Sequence, residues 1–265
     1  MKPYHFLIVW LLIGTVSACK SDKSTSGAAT QMETEPEKEK KYTVTPFSKS
    51  TEYPDAKLSD MSYKNGTFNF TVSGSKYKLG AQTPDASQKM CANSGKGQHI
   101  HLLIDTKPYS AQYEATFEHE VTNGTHNLLA FLSRSYHESI KTDAARIAQS
   151  VTVVDGSITD SEDITEPMLF YSRPKGTYVG DDTKKIMVDF YPLNADIGKD
   201  YKIKLQINGE VTMLDKWQPY FVENLPLGQN TIGIALVYPD GSSVPGTQTS
   251  MLQTITLRED PVPSN

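Results

Sequence analysis

The sequence predicts an all-β protein built from two tandem immunoglobulin-like β-sandwich domains. Short segments of alternating apolar and polar residues recur along the chain, and turn sequences such as "KNG", "TNG", "ING" and "PDG" separate them. Alternation with a period of two is typical of half-buried strands, and regularly spaced short strands are typical of sandwiches. No long amphipathic helix competes with this interpretation. The predicted strands are 66–72, 99–104, 126–132, 150–154, 185–191, 201–207, 230–238 and 252–257.

Two stretches of the chain resemble each other and divide it into two domains. "HIHLLID" from His99 corresponds to "KIKLQIN" from Lys202, and "TNGTHNLLAFL" corresponds to "PLGQNTIGIAL". Self-similarity of this kind indicates a duplicated structural unit. We predict sandwich domains over 51–160 and 166–260, with the acidic segment 155–168 as the linker. The second domain contains no histidine, so it serves as an internal control for the histidines of the first.

Residues 1–18 have the features of a secretory signal peptide. Lys2 precedes an apolar run over 6–13 that is too short to span a bilayer, and small residues follow it. The next residues, "VSAC", resemble the lipobox of bacterial lipoproteins, and the resemblance implies cleavage before Cys19 and acylation of its thiol. Residues 19–50 are polar and mixed in charge, and such a segment cannot bury enough apolar surface to fold. We therefore expect a flexible tether.

The charge balance argues against a nucleic-acid partner. The chain carries 26 basic and 31 acidic side chains, for a net charge of −5, and no basic stripe. No second apolar stretch is long enough to cross a membrane. We expect lipid attachment to a bacterial outer membrane through Cys19, with the folded part facing the periplasm or the cell surface.

Five of the six histidines fall between residues 99 and 137. Side chains alternate between the two faces of a strand, so His99 and His101 share one face and Ile100, Leu102 and Ile104 share the other. Two imidazoles at positions i and i+2 can converge on one ion, and neutral imidazole is a common ligand of zinc and copper. The pattern predicts a transition-metal site in the first domain.

Further candidates for this site follow from position and chemistry. His126 begins a later strand and His137 follows that strand, and either could supply a third ligand, although His126 alternates with apolar residues and could point inward. Cys91 has no disulfide partner if the other cysteine is acylated, and it is either a free thiol or a soft ligand favouring copper(I). Asp105 and Glu138 could ligate the ion or hydrogen-bond to its ligands.

One stretch of the first domain, "GKGQHIHLLID" followed by "TNGTHNLLAFLSRSYHE", resembles a group of bacterial envelope proteins of unassigned function. Their pattern is an HxH strand that ends in Leu-Leu-Ile-Asp, then Gly-x-His-x-Leu-Leu and a downstream histidine. The resemblance implies a β-sandwich that binds a metal or a small ligand, and it assigns no reaction. The matching positions are His99, His101, Asp105, Gly124, His126 and His137.

Two other families share short motifs with this stretch. Cupins carry HxH followed by a carboxylate, which would be Asp105 here, but they prefer glutamate and space their glycines differently. Forkhead-associated domains, which bind phosphothreonine peptides, have Ser-Arg-x-His followed by Asn-Gly. In this chain "SRSYH" is one residue longer and "NGTH" precedes it. Broken spacing makes both resemblances weak indications of function.

The sequence shows neither a nucleophile elbow nor a phosphate-binding glycine loop. We therefore predict a lipid-anchored, non-catalytic binding protein that holds copper or zinc in its first domain. One alternative is a metal-free envelope module that recognises a protein, a glycan or a peptide, including a phosphopeptide. The other is a cupin-like metal enzyme.

Overall fold

The alternating segments of the sequence form β-strands. The computed structural model describes residues 42–260, so the predicted signal peptide, Cys19 and the tether up to residue 41 lie outside the described residues. The strands are β1 Thr43–Pro46, β2 Lys57–Lys64, β3 Thr67–Ser73, β4 His99–Ile104, β5 Ser110–Gln112, β6 Thr116–Glu118, β7 Gly124–Ser133, β8 Arg146–Val154, β9 Ser157–Asp163, β10 Met168–Arg173, β11 Gly176–Val179, β12 Lys185–Leu193, β13 Lys202–Ile207, β14 Glu210–Leu214, β15 Tyr220–Glu223, β16 Gly228–Val237 and β17 Ser250–Arg258. Short helical turns are α1 Ala86–Lys89 and the 3-10 turns Asp143–Ala145 and Gly180–Thr183. Within residues 42–260, no helix has the length and apolar character needed to cross a membrane.

The strands form four sheets, which pair into two sandwiches. Sheet I has the order β2-β3-β6 and sheet II the order β5-β4-β7-β8-β9, and together they make the first sandwich. Sheet III, β1-β15-β12-β10, and sheet IV, β11-β17-β16-β13-β14, make the second. Neighbouring strands are antiparallel, except that β11 pairs parallel with β17. The prediction of an all-β protein with two sandwiches is confirmed.

Three apolar layers separate the four sheets. One lies inside the first sandwich, between sheets I and II, and one inside the second, between sheets III and IV. The third layer lies between sheets II and III and joins the two sandwiches. Its buried members are Leu103, Tyr109, Leu129, Phe131, Phe170, Tyr191 and Leu193. The outer face of sheet II is therefore covered by protein.

Both faces of strand β7 are buried, and its sequence reflects this. Leu128, Ala130 and Leu132 point into the first sandwich, whereas Leu129 and Phe131 point into the layer between sheets II and III. A strand that is half exposed would carry polar residues on one face, but a strand buried on both faces reads as a continuous apolar run. This explains the unbroken run "LLAFL".

A buried carboxylate also links the two sandwiches. Asp189 of β12 has no exposed surface, and it accepts hydrogen bonds from the Ser139 backbone N–H at 2.9 Å and from Lys141 Nζ at 2.7 Å. A buried charge without partners costs several kcal/mol, so the fold must place hydrogen-bond donors beside this carboxylate. The contact fixes how the loop after β7 meets the second sandwich.

The predicted domain limits are wrong at two places. Residues 19–50 were expected to be a tether, but Thr43–Pro46 pairs with β15 in sheet III, because its β-branched residues complete the free edge of that strand. Next to β1, the Phe47 ring lies 4.3 Å from the Phe221 ring. The first domain was expected to end at residue 160, and 155–168 to be a linker, but β9 runs to Asp163 and pairs with β8. The second sandwich is therefore built from residues that precede the first sandwich in the sequence and from residues that follow it.

We expect a chain that begins at residue 51 to be less stable than one that begins at residue 42. Without β1 and Phe47, the edge of β15 and the Phe221 ring lose their partners. The free energy of unfolding should fall by more than about 2 kcal/mol, the scale of a large structural defect. Urea denaturation of the two chains measures the difference. Equal midpoints and slopes would show that β1 contributes little to the second sandwich.

Candidate metal centre

Three histidine side chains meet at the edge of the layer between sheets II and III. His99 and His101 lie on β4, and His137 lies in the turn that follows β7. His99 Nε2 is 2.9 Å from His101 Nε2 and 3.0 Å from His137 Nδ1. One ring nitrogen from each of the three residues lies within 4.8 Å of the others. The structure thus brings the predicted HxH pair together with one of the two histidines expected to complete it.

Hydrogen bonds to the outer ring nitrogens orient two of these imidazoles. His99 Nδ1 donates to the Gly97 carbonyl at 2.8 Å, so its Nε2 carries a lone pair toward the cluster. His101 Nδ1 lies 3.1 Å from the Ser172 hydroxyl on β10. Contacts of this kind fix the ring orientation and tautomer of metal-binding histidines. The second sandwich therefore positions a histidine of the first.

Burial keeps the three imidazoles neutral. His99 and His101 have no exposed surface, and His137 is half-buried. Desolvation lowers the pKa of His99 to about 4 and holds the pKa of His101 and His137 well below the usual range. The nearby positive charges of Arg173 and Lys175 lower all three pKa values further. Neutral imidazole is the form that binds a metal ion.

Tyrosine rings line the cluster. The Tyr109 ring stacks on the His101 ring with 3.7 Å between centroids and 8° between planes, and its hydroxyl lies 3.2 Å from His137 Nδ1. Arg173 Nη1 donates to the same hydroxyl at 3.0 Å. Sequence reasoning missed Tyr109 and Arg173, because no spacing rule connects a residue after β4 with one on β10.

The duplicated sandwich allows each histidine to be compared with its counterpart. In the first sandwich His99 lies opposite Ser133 across β4 and β7, and in the second Lys202 lies opposite Val237 across β13 and β16. The rest of both strand pairs follows in the same register. The two positions of HxH therefore correspond to two lysines in the second sandwich, as the sequence comparison predicted.

The backbone of His137 adopts a conformation that is unfavourable for most residues other than glycine. Its φ of 70° lies in the left-handed region, which is uncommon for residues other than glycine. The turn is closed by a hydrogen bond from the His137 N–H to the Arg134 carbonyl. The matching turn of the second sandwich has the matching bond, from the Gly241 N–H to the Tyr238 carbonyl, and Gly241 has a φ of 88°. At this position the first sandwich has a histidine, whereas the second has glycine, the residue that adopts a positive φ most readily.

His126 and Asp105 do not belong to this cluster, which corrects two predictions. His126 Nδ1 lies 2.7 Å from the Asp105 carboxylate, and its Nε2 donates to the Thr122 carbonyl at 2.9 Å. In the second sandwich Asn230 makes the equivalent contacts, with the Asn208 side chain at 2.8 Å and with a loop carbonyl at 2.8 Å. The pair holds the loop before β7 against the end of β4. It serves the fold, because the histidine-free sandwich needs the same contacts.

Cys91 and Glu138 also lie apart from the cluster, contrary to prediction. Cys91 packs with Tyr136 and Phe221, and burial raises the pKa of its thiol to about 12. A thiol with so high a pKa does not supply the thiolate that binds metals. Glu138 lies 3.5 Å from the Arg134 guanidinium and is held there. It follows His137 in the chain but points elsewhere.

Comparisons with known proteins assign no role to these residues. No family model matches the chain, and no curated protein matches it. Among solved structures, the chain is similar to fibronectin(III)-like modules of Clostridium thermocellum CbhA, with 16% identity over 36% of this chain and 100% of that chain, and a TM-score of 0.29. It is also similar to Bacteroides ovatus SGBP-B, of a mixed-linkage glucan utilization locus and solved with a mixed-linkage heptasaccharide, with 10% identity over 73% of this chain and 63% of that chain, and a TM-score of 0.20.

We expect Asp105→Asn/His126→Asn to leave the fold and the histidine cluster intact. The two asparagines reproduce the pair of the second sandwich, in which Asn208 Nδ2 donates to Asn230 Oδ1 and Asn230 Nδ2 donates to a loop carbonyl, so the free energy of unfolding should change little. His126→Leu should cost about 1 kcal/mol, because it removes the contacts of His126 with the partly exposed Asp105 carboxylate and with the Thr122 carbonyl. Thermal denaturation compares the two variants with the unmodified protein. An asparagine variant as unstable as the leucine variant would contradict the equivalence of the two positions.

Proposed function

We propose that this protein is a transition-metal-binding module of the bacterial envelope that holds one copper or zinc ion on His99, His101 and His137. The observation that carries the proposal is the meeting of three ring nitrogens at one place, to which a left-handed turn contributes His137 where the second sandwich has Gly241. Residues in sparsely populated conformations cluster at functional sites, where the structure tolerates their cost. Eight other non-glycine residues among 42–260 also have a positive φ, and His137 differs from them in that its Nδ1 lies 3.0 Å from His99 Nε2.

The hydrogen-bonding capacity of the cluster supports an ion as its partner. Because His99 Nδ1 donates to a carbonyl, Nε2 offers one lone pair, yet ring nitrogens of both His101 and His137 lie within 3.0 Å of it. His101 Nε2–H can satisfy that lone pair and His137 Nδ1 can accept from the Tyr109 hydroxyl, which leaves His99 Nε2 and His137 Nδ1 3.0 Å apart with no proton between them. A metal ion at the centre would accept lone pairs from all three rings. The separations of 2.9 and 3.0 Å are slightly shorter than the about 3.3 Å between neighbouring nitrogens in tetrahedral zinc coordination, so the rings would move apart by a few tenths of an ångström to bind the ion.

The surroundings of the site favour binding over catalysis. Metal-assisted hydrolysis needs a positioned base beside the metal-bound water. Within residues 42–260, the group of His, Cys, Asp and Glu side chains that could hold an ion consists of the three histidines, and Asp105, the carboxylate of the cupin comparison, is bound to His126. The carboxylate that a cupin-like enzyme would use as its fourth metal ligand is therefore not available at this cluster. We propose that the module stores or transfers the ion, or holds it for the stability of the junction.

The direct test is the metal content of purified protein in which two ligands are removed. The unmodified protein should bind about one copper or zinc ion per chain, and His99→Ala/His101→Ala should lower the affinity more than about 100-fold, because a three-ligand site loses two ligands. Asp105→Asn/His126→Asn is the matched control and should retain the ion. Elemental analysis and competition with a chelator measure both quantities. A folded double variant with unchanged metal content and affinity would refute the site.

His137→Gly separates the metal-binding role from a structural one in the same experiment. Glycine relieves a left-handed conformation that costs about 1 kcal/mol for other residues, so the metal-free variant should be as stable as the unmodified protein or more stable. The same variant should bind the ion more weakly. A variant that loses stability and keeps the metal affinity would show that His137 serves the fold alone.

The envelope location in this proposal depends on Cys19, which lies outside the described residues. We propose that its acylated thiol attaches the protein to the outer membrane, since acyl chains on one residue can supply stable anchoring. The Cys19→Ala variant should move from the washed membrane fraction to the soluble fraction, as measured by immunoblotting of both. Its retention in the membrane would contradict the lipid anchor and leave the metal site unaffected.

A further inference from the structure

We propose that Ser172 is a positioning residue of the metal site and that its hydroxyl serves both states of His101. The hydroxyl donates to His101 Nδ1 in the metal-free protein and accepts from the same nitrogen once His101 Nε2 binds the ion. The inference rests on the proposed metal site and names the residue that lets this site exist with and without its ion. It also gives the second sandwich a defined part in a site whose three ligands belong to the first.

The direction of the hydrogen bonds in the metal-free cluster follows from one group that can only accept. Because the Gly97 carbonyl accepts from His99 Nδ1 at 2.8 Å, the proton of that ring is on Nδ1 and His99 Nε2 carries a lone pair. His101 Nε2 lies 2.9 Å from this lone pair and donates its own ring proton to it. His101 Nδ1 is then an acceptor, and the Ser172 hydroxyl at 3.1 Å donates to it.

The third imidazole does not compete for the lone pair of His99. Arg173 Nη1 can only donate, so the Tyr109 oxygen accepts from it at 3.0 Å and directs its own proton to another acceptor. His137 Nδ1 lies 3.2 Å from that oxygen and supplies the lone pair that this proton requires. The donor to His99 Nε2 is therefore His101, and the proton positions of the metal-free cluster are consistent with one another.

An ion on His101 Nε2 reverses the bond between His101 and Ser172. The Nε2–H bond breaks and its proton passes to water, the bond from Nε2 to the ion forms, and Nδ1 takes up a proton from water, so the ring stays neutral. Nδ1 then donates to the Ser172 oxygen, as the outer nitrogen of a metal-bound histidine usually does to its partner. A hydroxyl can fill both roles because it is a donor and an acceptor and can rotate.

Burial leaves Ser172 as the partner that His101 needs in both states. His101 has no exposed surface and Ser172 is 1% exposed, and within residues 42–260 the hydrogen bonds of the His101 ring are those to His99 and Ser172. A buried ring nitrogen without a partner costs free energy. A carbonyl like that of Gly97 in place of the hydroxyl would fix the proton on His101 Nδ1, and two lone pairs would then face each other at 2.9 Å in the metal-free protein.

Three variants separate the hydroxyl from its surroundings. Ser172→Ala removes the hydroxyl, and Ser172→Thr retains one. Tyr113→Phe is the matched control, because it removes a different hydroxyl beside the cluster. The Tyr113 ring lies 4.9 Å from the His99 ring, but its hydroxyl is bonded to the Ser94 hydroxyl at 2.7 Å and not to a cluster nitrogen.

The experiment uses the full mature protein with ¹⁵N-labelled histidine, free of metal and loaded with zinc, or with copper(I) if it binds copper alone. Nitrogen NMR distinguishes ring nitrogens with and without a proton, and chelator competition measures the affinity. In the unmodified protein and Tyr113→Phe, the His101 proton should be on Nε2 without the ion and on Nδ1 with it. Ser172→Ala should bind the ion about 10–100-fold more weakly, and Ser172→Thr should recover most of that loss.

The outcomes distinguish this inference from the proposed function. If His101 carries its proton on the same nitrogen with and without the ion, or if Ser172→Ala keeps the unmodified affinity, Ser172 does not have this role and the three-histidine site stands. If the unmodified protein binds neither zinc nor copper, both proposals fail. If Ser172→Ala does not fold, the nitrogen spectra of the unmodified protein in its two states still decide the question.

Discussion

The packing of sheet II against sheet III is the constraint on which the rest of the structure depends. It removes from water a sheet face that is accessible in the second sandwich, where Leu252 on sheet IV is 63% exposed. Because that face of sheet II is buried, β7 carries Leu129 and Phe131 where the matching strand β16 carries Gly233 and Ala235. The buried Asp189 then fixes the polar contacts at the edge of the same layer.

The histidine cluster is a consequence of this packing. On an exposed sheet face, two histidines at alternate positions would be hydrated and would titrate near neutral pH. Under the second sandwich they lose water, stay neutral and must find protein partners for their outer nitrogens, which Gly97 and Ser172 supply. The ligands belong to the first sandwich, but the environment that makes them good ligands belongs to both. A first sandwich expressed alone would therefore keep the three histidines and lose the burial that keeps them neutral.

The sequence was sufficient for local features and insufficient for the packing between sandwiches. Alternation predicted many of the strands, self-similarity predicted which positions of the two sandwiches correspond, and the HxH pair was found from its spacing. The choice between His126 and His137 was also encoded in the repeat, since the second sandwich has the polar pair Asn208 and Asn230 in place of Asp105 and His126, whereas it has no side chain at Gly241 in place of His137. The roles of Thr43–Pro46, Asp189 and Tyr109 depend on contacts between distant segments, which no local period reveals.

Two features that each cost stability, one in the backbone of His137 and one in the burial of Arg173, occur beside the histidine cluster. His137 occupies a left-handed turn, and Arg173 is buried without a carboxylate partner among residues 42–260. The matching turn of the second sandwich has glycine, so the fold does not require the first of these costs. Eight other non-glycine residues among 42–260 have a positive φ, so His137 is distinguished by its contact with the other two imidazoles and not by its backbone alone. An ion bound by the three imidazoles would make use of His137, because its Nδ1 would donate a lone pair to the ion alongside His99 Nε2 and His101 Nε2.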